Sequence, residues 1–351
     1  MKVLHVLNTG KYSGAENVAI TLIHALEGDV ECAYTSPDGP IKEILKEEKI
    51  TYFPISTTAV NAKELKQIIF QYKPDIIHTH DYNAGIMACM TGINIPIINH
   101  LHNNTPWLRK ICLKSLAYFI SCVRYKVILT VSDSVMDEFI FGSLVARKSM
   151  VVGNPINLFK ILRSADETDV LREPSDIIFL GRLSLQKNPF FFLEIIADIV
   201  KKNMDLRVAM VGAGELYEEV EAKIAELNLK NHVKLYGFQK NPYGLLKAAK
   251  VMCMPSKWEG FGLAAVEGLA FGKPVVASPV GGLKKIVNEQ CGKLCENKED
   301  YLVEIEKLLT DISYYSKKSE GAKMRAKEYD NMISYARQIR ELYSTVAGKA
   351  L

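Results

Sequence analysis

The sequence predicts an α/β protein of two doubly wound, Rossmann-like domains facing a central cleft, and three observations carry that expectation. Short apolar runs rich in β-branched and aromatic residues alternate with helix-length segments along the whole chain. Those runs are near-continuously apolar, as strands covered on both faces of a parallel sheet must be. The alternation lapses once, over residues 157–176, and then begins again. At 351 residues the chain is long enough for about two domains of the usual ~100–200 residues.

In order along the chain, "KVLHVL", "VECAYTS", "TYFPI", "DIIHTH", "IPIINH", "KVILTVS" and "MVVGN" read as the strands of a first domain, residues 1–165. The charged stretch "NLFKILRSADETDVLREPSD" has no sheet-like run and reads as a linker. "DIIFLGR", "LRVAMVG", "VKLYGF", "VMCMPS" and "PVVASP" then supply a second sheet, in a domain over residues 170–328. The last pattern, "SYARQIRELYSTV", is an amphipathic helix, expected to return to the first domain with residues 330–351.

Composition narrows the class. Hydrophobic residues make up 48% and charged residues 24%, as in an ordinary globular protein. The net charge of +4 is too slight to argue for nucleic acid. Seven scattered cysteines, an odd number, make no disulfide framework and point to a reducing cytoplasm. No charged leader with a cleavage site opens the sequence, and no stretch approaches the ~18 apolar residues that would span a bilayer.

In open α/β sheets, ligands sit outside the carboxyl ends of the strands, so chemistry is sought there. The strongest signal is "PSKWEGFGLAAVEGLAFGKPVVAS", residues 255–278. A strand ends, a loop carries Glu259 and Gly260, and Phe261-Gly262 open a helix with Glu267 further in. Helical rise separates the two carboxylates by roughly 8 Å or more, with free amide groups between them. Amides at a helix start suit a phosphate, and flanking carboxylates suit sugar hydroxyls. In "FLGRLSLQKNP", Arg182 and Lys187 follow a strand end and precede Pro189, where two cations can neutralise a diphosphate leaving group. "VGAGELYEEV" imitates a dinucleotide fingerprint, but Tyr217 stands where its last glycine is needed. It reads instead as a glycine turn lining a polar cleft.

Near the N-terminus, "NTGKYSGAENVAI" looks like a phosphate loop, yet His5 occupies the place of its first glycine and Tyr12 interrupts the Gly-Lys-Ser order. It remains a strand, a glycine turn and a helix.

The set "SGAENV", "GRLSLQKNP", "VGAGEL", "EGFGLAAVE" and "GKPVVASPVGGL" resembles the retaining glycosyltransferases of family 4, with the two-domain GT-B architecture, along nearly the whole chain. The spacing from Glu259 to Glu267 is its most specific part. By that resemblance Arg182 and Lys187 would hold the diphosphate of a nucleotide-sugar donor, Glu267 the ribose, and Gly237 and Phe238 the base. Glu259, with the Phe261 and Gly262 backbone, would hold the transferred sugar, and Gly14, Gly212 and Leu263 would complete the donor contacts. The resemblance implies a metal-independent, hexosyltransferase-type enzyme acting on a glycan or lipid-linked acceptor, with bacterial surface polysaccharide synthesis as the setting. Two departures stand out. Ser13 replaces a glycine and should restrict the backbone, and Lys285 stands where relatives carry an acid.

His78, His80, His100 and His102 end two apolar runs. Alternation on a strand turns the rings of each pair to one side without supplying a complete ligand set. The resemblance favours His102 as a sugar contact, with His80 a weaker acceptor-side candidate and the other two structural. No Asp-x-Asp metal clamp occurs, so no metal and no other cofactor is expected. Residues 107–126, "WLRKICLKSLAYFISCVRYK", carry five basic residues, no acidic one, and apolar positions at helical spacing. Two uses fit: a face on anionic lipid with Trp107 at the headgroups, making the protein peripheral at the membrane, or a core helix with a solvated basic edge. A sugar-nucleotide epimerase of the same architecture and a non-catalytic nucleotide-binding scaffold stay open as alternatives.

Overall fold

A chain that repeats strand and helix in this way has few ways to bury both faces of its strands, and it uses the same one twice. The computed structural model describes residues 1–167, 174–202 and 205–349. They form two units, one of residues 1–155 with 331–351, the other of residues 156–330.

In the first unit the strands are β1 (Lys2–Val6), β2 (Glu31–Pro37), β3 (Thr51–Ile55), β4 (Ile76–His80), β5 (Ile97–Leu101), β6 (Tyr125–Thr130) and β7 (Ser149–Val151). They pair in parallel in the order β3-β2-β1-β4-β5-β6-β7. The sheet turns at the β1/β4 boundary, where the winding reverses. Val3, Ile76, Ile98 and Leu129 point to one face, and the Met332–Ala347 helix covers it with Tyr335, Ile339 and Tyr343. Fully burying a side chain such as Ile339 stabilises the unit by about 1.5–3 kcal/mol. The C-terminal helix is thus part of this unit's core.

The second unit holds β8 (Ser175–Leu180), β9 (Val208–Val211), β10 (Val233–Leu235), β11 (Ala249–Met254), β12 (Val275–Ala277) and β13 (Gly292–Leu294). Their order, β10-β9-β8-β11-β12-β13, is again all parallel and again reverses after its first strand, here at β8/β11. The strand β13 carries only three residues, of which Gly292 and Lys293 are not apolar, and it escapes a hydrophobicity reading.

The expected linker is a different object. Leu158–Ser164 is a helix, capped by the Asn157 side chain, which accepts from the Lys160 amide. It packs on the Tyr243–Ala248 and Leu263–Ala270 helices. Ile156, Leu158 and Ala165 are buried in the second unit, so the boundary lies at residue 155 and not near 165–170. The expected linker's residues 168–173 lie outside the described residues.

Candidate active site

Five loops leave the carboxyl ends of β8, β9, β10, β11 and β12, and they are stitched together by backbone. The Lys257 amide donates to the Gln186 carbonyl at 2.8 Å, and Gln186 Nε2 donates to the Trp258 carbonyl at 3.0 Å. The Leu183 amide donates to Ala213, that of Gly212 to Gly237, and that of Gly282 to Gly260. Two of these approaches admit only glycine. At φ +145° a Cβ on Gly212 would collide with the Gly181 carbonyl oxygen, and at φ +49° one on Gly281 would collide with the Glu259 carbonyl oxygen.

This frame fixes the charged side chains. Lys187 Nζ meets Glu259 Oε1 at 2.5 Å, and Ser256 Oγ donates to the same oxygen at 2.8 Å. Glu259 is only 4% exposed, and removing either partner would leave a buried polar contact unmade. The aliphatic stem of Lys187 lies against Gly181. The Leu263–Ala270 helix starts immediately beyond, with Gly262 at φ +103° as its cap. Glu267, on that helix, accepts from Tyr243 Oη at 2.9 Å. Burial pushes its carboxyl above the ordinary carboxylate range, opposed by the Tyr243 hydrogen bond and by the positive charge of Lys187. Lys187, Glu259 and Glu267 therefore share one electrostatic neighbourhood at the helix start.

Other expected residues sit at the edge of it. Arg182 follows Gly181 but is exposed, and has no ion pair or hydrogen bond of its side chain among the described residues. Gly237 and Phe238 follow β10, and Phe238 is 52% exposed. Gly212 joins them to the Gly181 loop. Ser256 and Tyr243 were not singled out from sequence. Ser256 stands within a quoted strand end, but Tyr243 lies 24 residues before Glu267 and gave no signal.

In the first unit, Gly14 is the exposed first residue of the Gly14–Ala25 helix. Ser13 before it is extended, at φ −153° and ψ −168°, a conformation open to any residue, so the expected restriction does not arise. Its hydroxyl donates to Glu16, which is buried. Lys285 is exposed.

The histidines meet. Parallel pairing sets His5 opposite His78 and His80 opposite His100, and His102 follows β5. His102 Nε2 lies 2.8 Å from His80 Nδ1, and His80 Nε2 lies 3.1 Å from His5 Nδ1. His78 Nδ1 meets Tyr343 Oη at 2.5 Å. Burial lowers His5 and His102 to about 3 and holds the other three well below the usual imidazole value, helped by their neighbours. His5, absent from the expected set, joins it only because the winding puts β1 beside β4.

Residues 107–126 divide into a short 3-10 turn, Pro106–Arg109, and the Leu113–Ser121 helix. The helix buries Ser115, Tyr118 and Ser121, and turns its apolar residues outward. Leu113 is 88% exposed, Ile120 68% and Val123 76%, with Ile111 and Leu116 beside them. The helix thus packs on the core through Tyr118, as one of the two expected uses has it, while its apolar row stands on the surface. Trp107 is half-buried and packs edge-on against Tyr82. Among the described residues no helix is long and apolar enough to cross a membrane.

Comparison with known proteins adds the following. Residues 12–159 match the family described as Glycosyltransferase Family 4, and residues 164–338 match Glycosyl transferases group 1. The chain is 26% identical to the UDP-Gal:alpha-D-GlcNAc-diphosphoundecaprenol alpha-1,3-galactosyltransferase of Escherichia coli, over 98% of this chain and 96% of that protein. It is 27% identical to an uncharacterized glycosyltransferase of Methanocaldococcus jannaschii, over 61% of this chain and 58% of the other. In fold it resembles Anabaena Alr3699/HepE in complex with UDP-glucose, with a TM-score of 0.84 at 21% identity, over 98% of this chain and all of that one.

Proposed function

Because the chain belongs to the group 1 glycosyltransferases of the family 4 type, with their pair of Rossmann-like domains, we propose that it transfers a hexose from a nucleoside-diphosphate donor to a hydroxyl of a lipid-linked glycan, with retention and without a metal. The observation that carries this reading is the Lys187–Glu259 pair at the start of the Leu263–Ala270 helix, with Glu267 on the same helix. A cation and open amide groups at one strand end are what a departing diphosphate needs. On donor arrival the Lys187 ammonium shares its carboxylate partner with the phosphate oxygens, beside Arg182. Glu267 takes the ribose, and Gly237 and Phe238 take the base. Glu259, the Phe261 and Gly262 backbone and Leu263 receive the sugar. The leaving phosphate oxygen accepts the acceptor's proton on the face it leaves, so configuration is kept.

The Escherichia coli relative is named for a UDP-galactose donor and a diphosphoundecaprenol acceptor. An acceptor of that kind lies in a membrane, and the Leu113–Ser121 face suits it. Ile111, Leu113, Leu116, Ile120 and Val123 form an exposed apolar row, with Lys110, Lys114, Arg124 and Lys126 around it. Apolar side chains entering the acyl boundary with cations at anionic headgroups would hold the protein at the bilayer surface.

The test is to incubate the purified chain with UDP-, GDP- and ADP-hexoses, with and without undecaprenyl-diphosphate-linked N-acetylglucosamine, and to follow nucleotide release and sugar identity. Release that depends on acceptor is the expected result. Interconversion of the donor sugar without acceptor would make the protein an epimerase, and no turnover with any donor would make it a scaffold.

A further inference from the structure

We propose that the first unit holds a divalent transition-metal ion of the zinc kind on His80, His100 and His102, at the carboxyl ends of β4 and β5. These three side chains each place a ring nitrogen within 4.8 Å of the others. Two strands and the residue following β5 build the group. The His80–His100 register sets one ring beside the other, and alternation brings His102 onto the same side of the sheet as His100. Ring centroids are 4.2 Å apart for His100 and His102, and 5.1 Å for His80 and His102.

The second observation is His100 itself. It is wholly buried, and neither of its ring nitrogens has a hydrogen-bond partner. A buried polar atom left unpaired costs about 1–3 kcal/mol, and such atoms are rare enough to need a cause. Ligation of an ion supplies one. A chain of hydrogen-bonded imidazoles pairs both nitrogens of His80 and one each of His5 and His102, at 3.1 and 2.8 Å; His5 and His78 are each left with a bare Nε2, but of the five rings it is His100 whose two nitrogens both lack a partner.

Chemistry and geometry agree on the class of ion. Three neutral imidazoles with an open fourth position are a familiar ligand set for zinc, and imidazole suits cobalt, nickel and copper as well. Ligand nitrogens around a tetrahedral zinc at ~2.0–2.1 Å lie roughly 3.3 Å apart. His80 Nδ1 and His102 Nε2 would part by only about half an ångström from their present 2.8 Å. Half-buried His102 gives an ion a way in, whereas the alternative group of His5, His78 and His80 is fully buried. Around the site, Asp81 Oδ1 accepts the His102 amide at 3.1 Å and fixes that residue's backbone. An ion on His102 Nε2 would leave its proton on Nδ1, turning the ring into a hydrogen-bond donor. The site is independent of the donor-phosphate reading, and binding of the ion is measured without any transfer assay.

The full-length chain, stripped with a chelator, is titrated with Co²⁺ and then Zn²⁺, with ligand-field absorption and metal content as readouts. The expected result is one ion per chain with a tetrahedral cobalt spectrum. His100→Gln and His102→Gln should weaken binding by at least the roughly 10–100-fold that even outer-shell losses cost, while His78→Gln, whose hydrogen bond goes to Tyr343 and not to any of the three ligands, should leave it unchanged. His102 is the least buried of the three, so its variant keeps the test sound if His100→Gln fails to fold. Failure of the parent chain to retain either ion overturns the proposal. So does equal retention by His102→Gln, or loss on His78→Gln alone, which would move the ion to the group of His5, His78 and His80.

Discussion

At the reversal of winding in the second unit, between β8 and β11, the strand ends carry a lysine, a buried glutamate and the open start of a helix. At the equivalent reversal in the first unit, between β1 and β4, they carry stacked imidazoles, and the ion pair of β1, Lys2 with Glu31, lies at the opposite, amino end of the strand. The same topology therefore builds two crevices with opposite electrostatics. One keeps opposite charges at close quarters, poised to exchange partners with an anion. The other keeps its ionisable groups neutral. Winding decides where a ligand can sit, and the side chains at the strand ends decide which ligand.

The contrast breaks first if the charged crevice is not the working one. Lys187→Ala and Glu259→Gln should each lower kcat for transfer by about 10²–10³-fold, the usual consequence of removing one preorganised electrostatic contact. Thermal melts of both variants would separate this from unfolding, because each strands a partly buried partner. Full activity in both variants would empty the second unit's crevice of its assigned role.

A second test concerns the first unit's outer surface. Leu113→Ser combined with Ile120→Ser should lower partition onto vesicles containing anionic lipid by about 10–100-fold, if each side chain contributes on the order of 1 kcal/mol at the interface. Co-sedimentation with neutral and anionic vesicles gives the number, and an unchanged partition would remove the membrane from the account.

Acid should then divide the two units. In the folded first unit the buried histidines stay neutral down to about 3 for His5, while an unfolded chain protonates them below about 6.5. The unfolded state thus holds more protons across that window. Stability of the unit falls as pH drops through it, by up to about 1.4 kcal/mol per pH unit for each histidine. Glu267 acts in the other direction: its raised value means the folded second unit holds the extra proton, so its contribution improves as pH falls. Hydrogen exchange at pH 7 and pH 5 in chelator should show the first unit opening more readily at the lower pH and the second changing less. The smallest effect is expected of chelator alone. Transfer rates with and without it should match, since the diphosphate is served by Lys187, Arg182 and backbone amides; a large loss would move the electrostatic work onto a metal.

Much of this was legible in the sequence, and what was not has physical reasons. Glu259, Lys187 and Glu267 could be read because a strand end, a glycine loop and a helix start lie next to one another along the chain. Tyr243 and Ser256 could not be assigned, since their hydrogen bonds to those carboxylates depend on packing between loops. The histidines were counted strand by strand, and no strand alone makes a ligand set. Only the placement of β1 beside β4 and β4 beside β5 gathers His5, His78, His80 and His100. The Leu158–Ser164 helix was lost because its seven residues sit in charged surroundings and it packs on helices more than 75 residues away in sequence, burying Leu158. The outward face of Leu113–Ser121 has the period of a core helix, and period does not say which side is dry.

The Met332–Ala347 helix, lodged against β4 with Tyr343 on His78, sets an order of events during synthesis. Residues 156–330 have every strand of their sheet in hand before that helix leaves the ribosome, whereas the unit begun first must wait for it. The earliest strands to be made are among the last to be sealed, and a chain truncated after residue 330 should resist protease in its second half better than in its first.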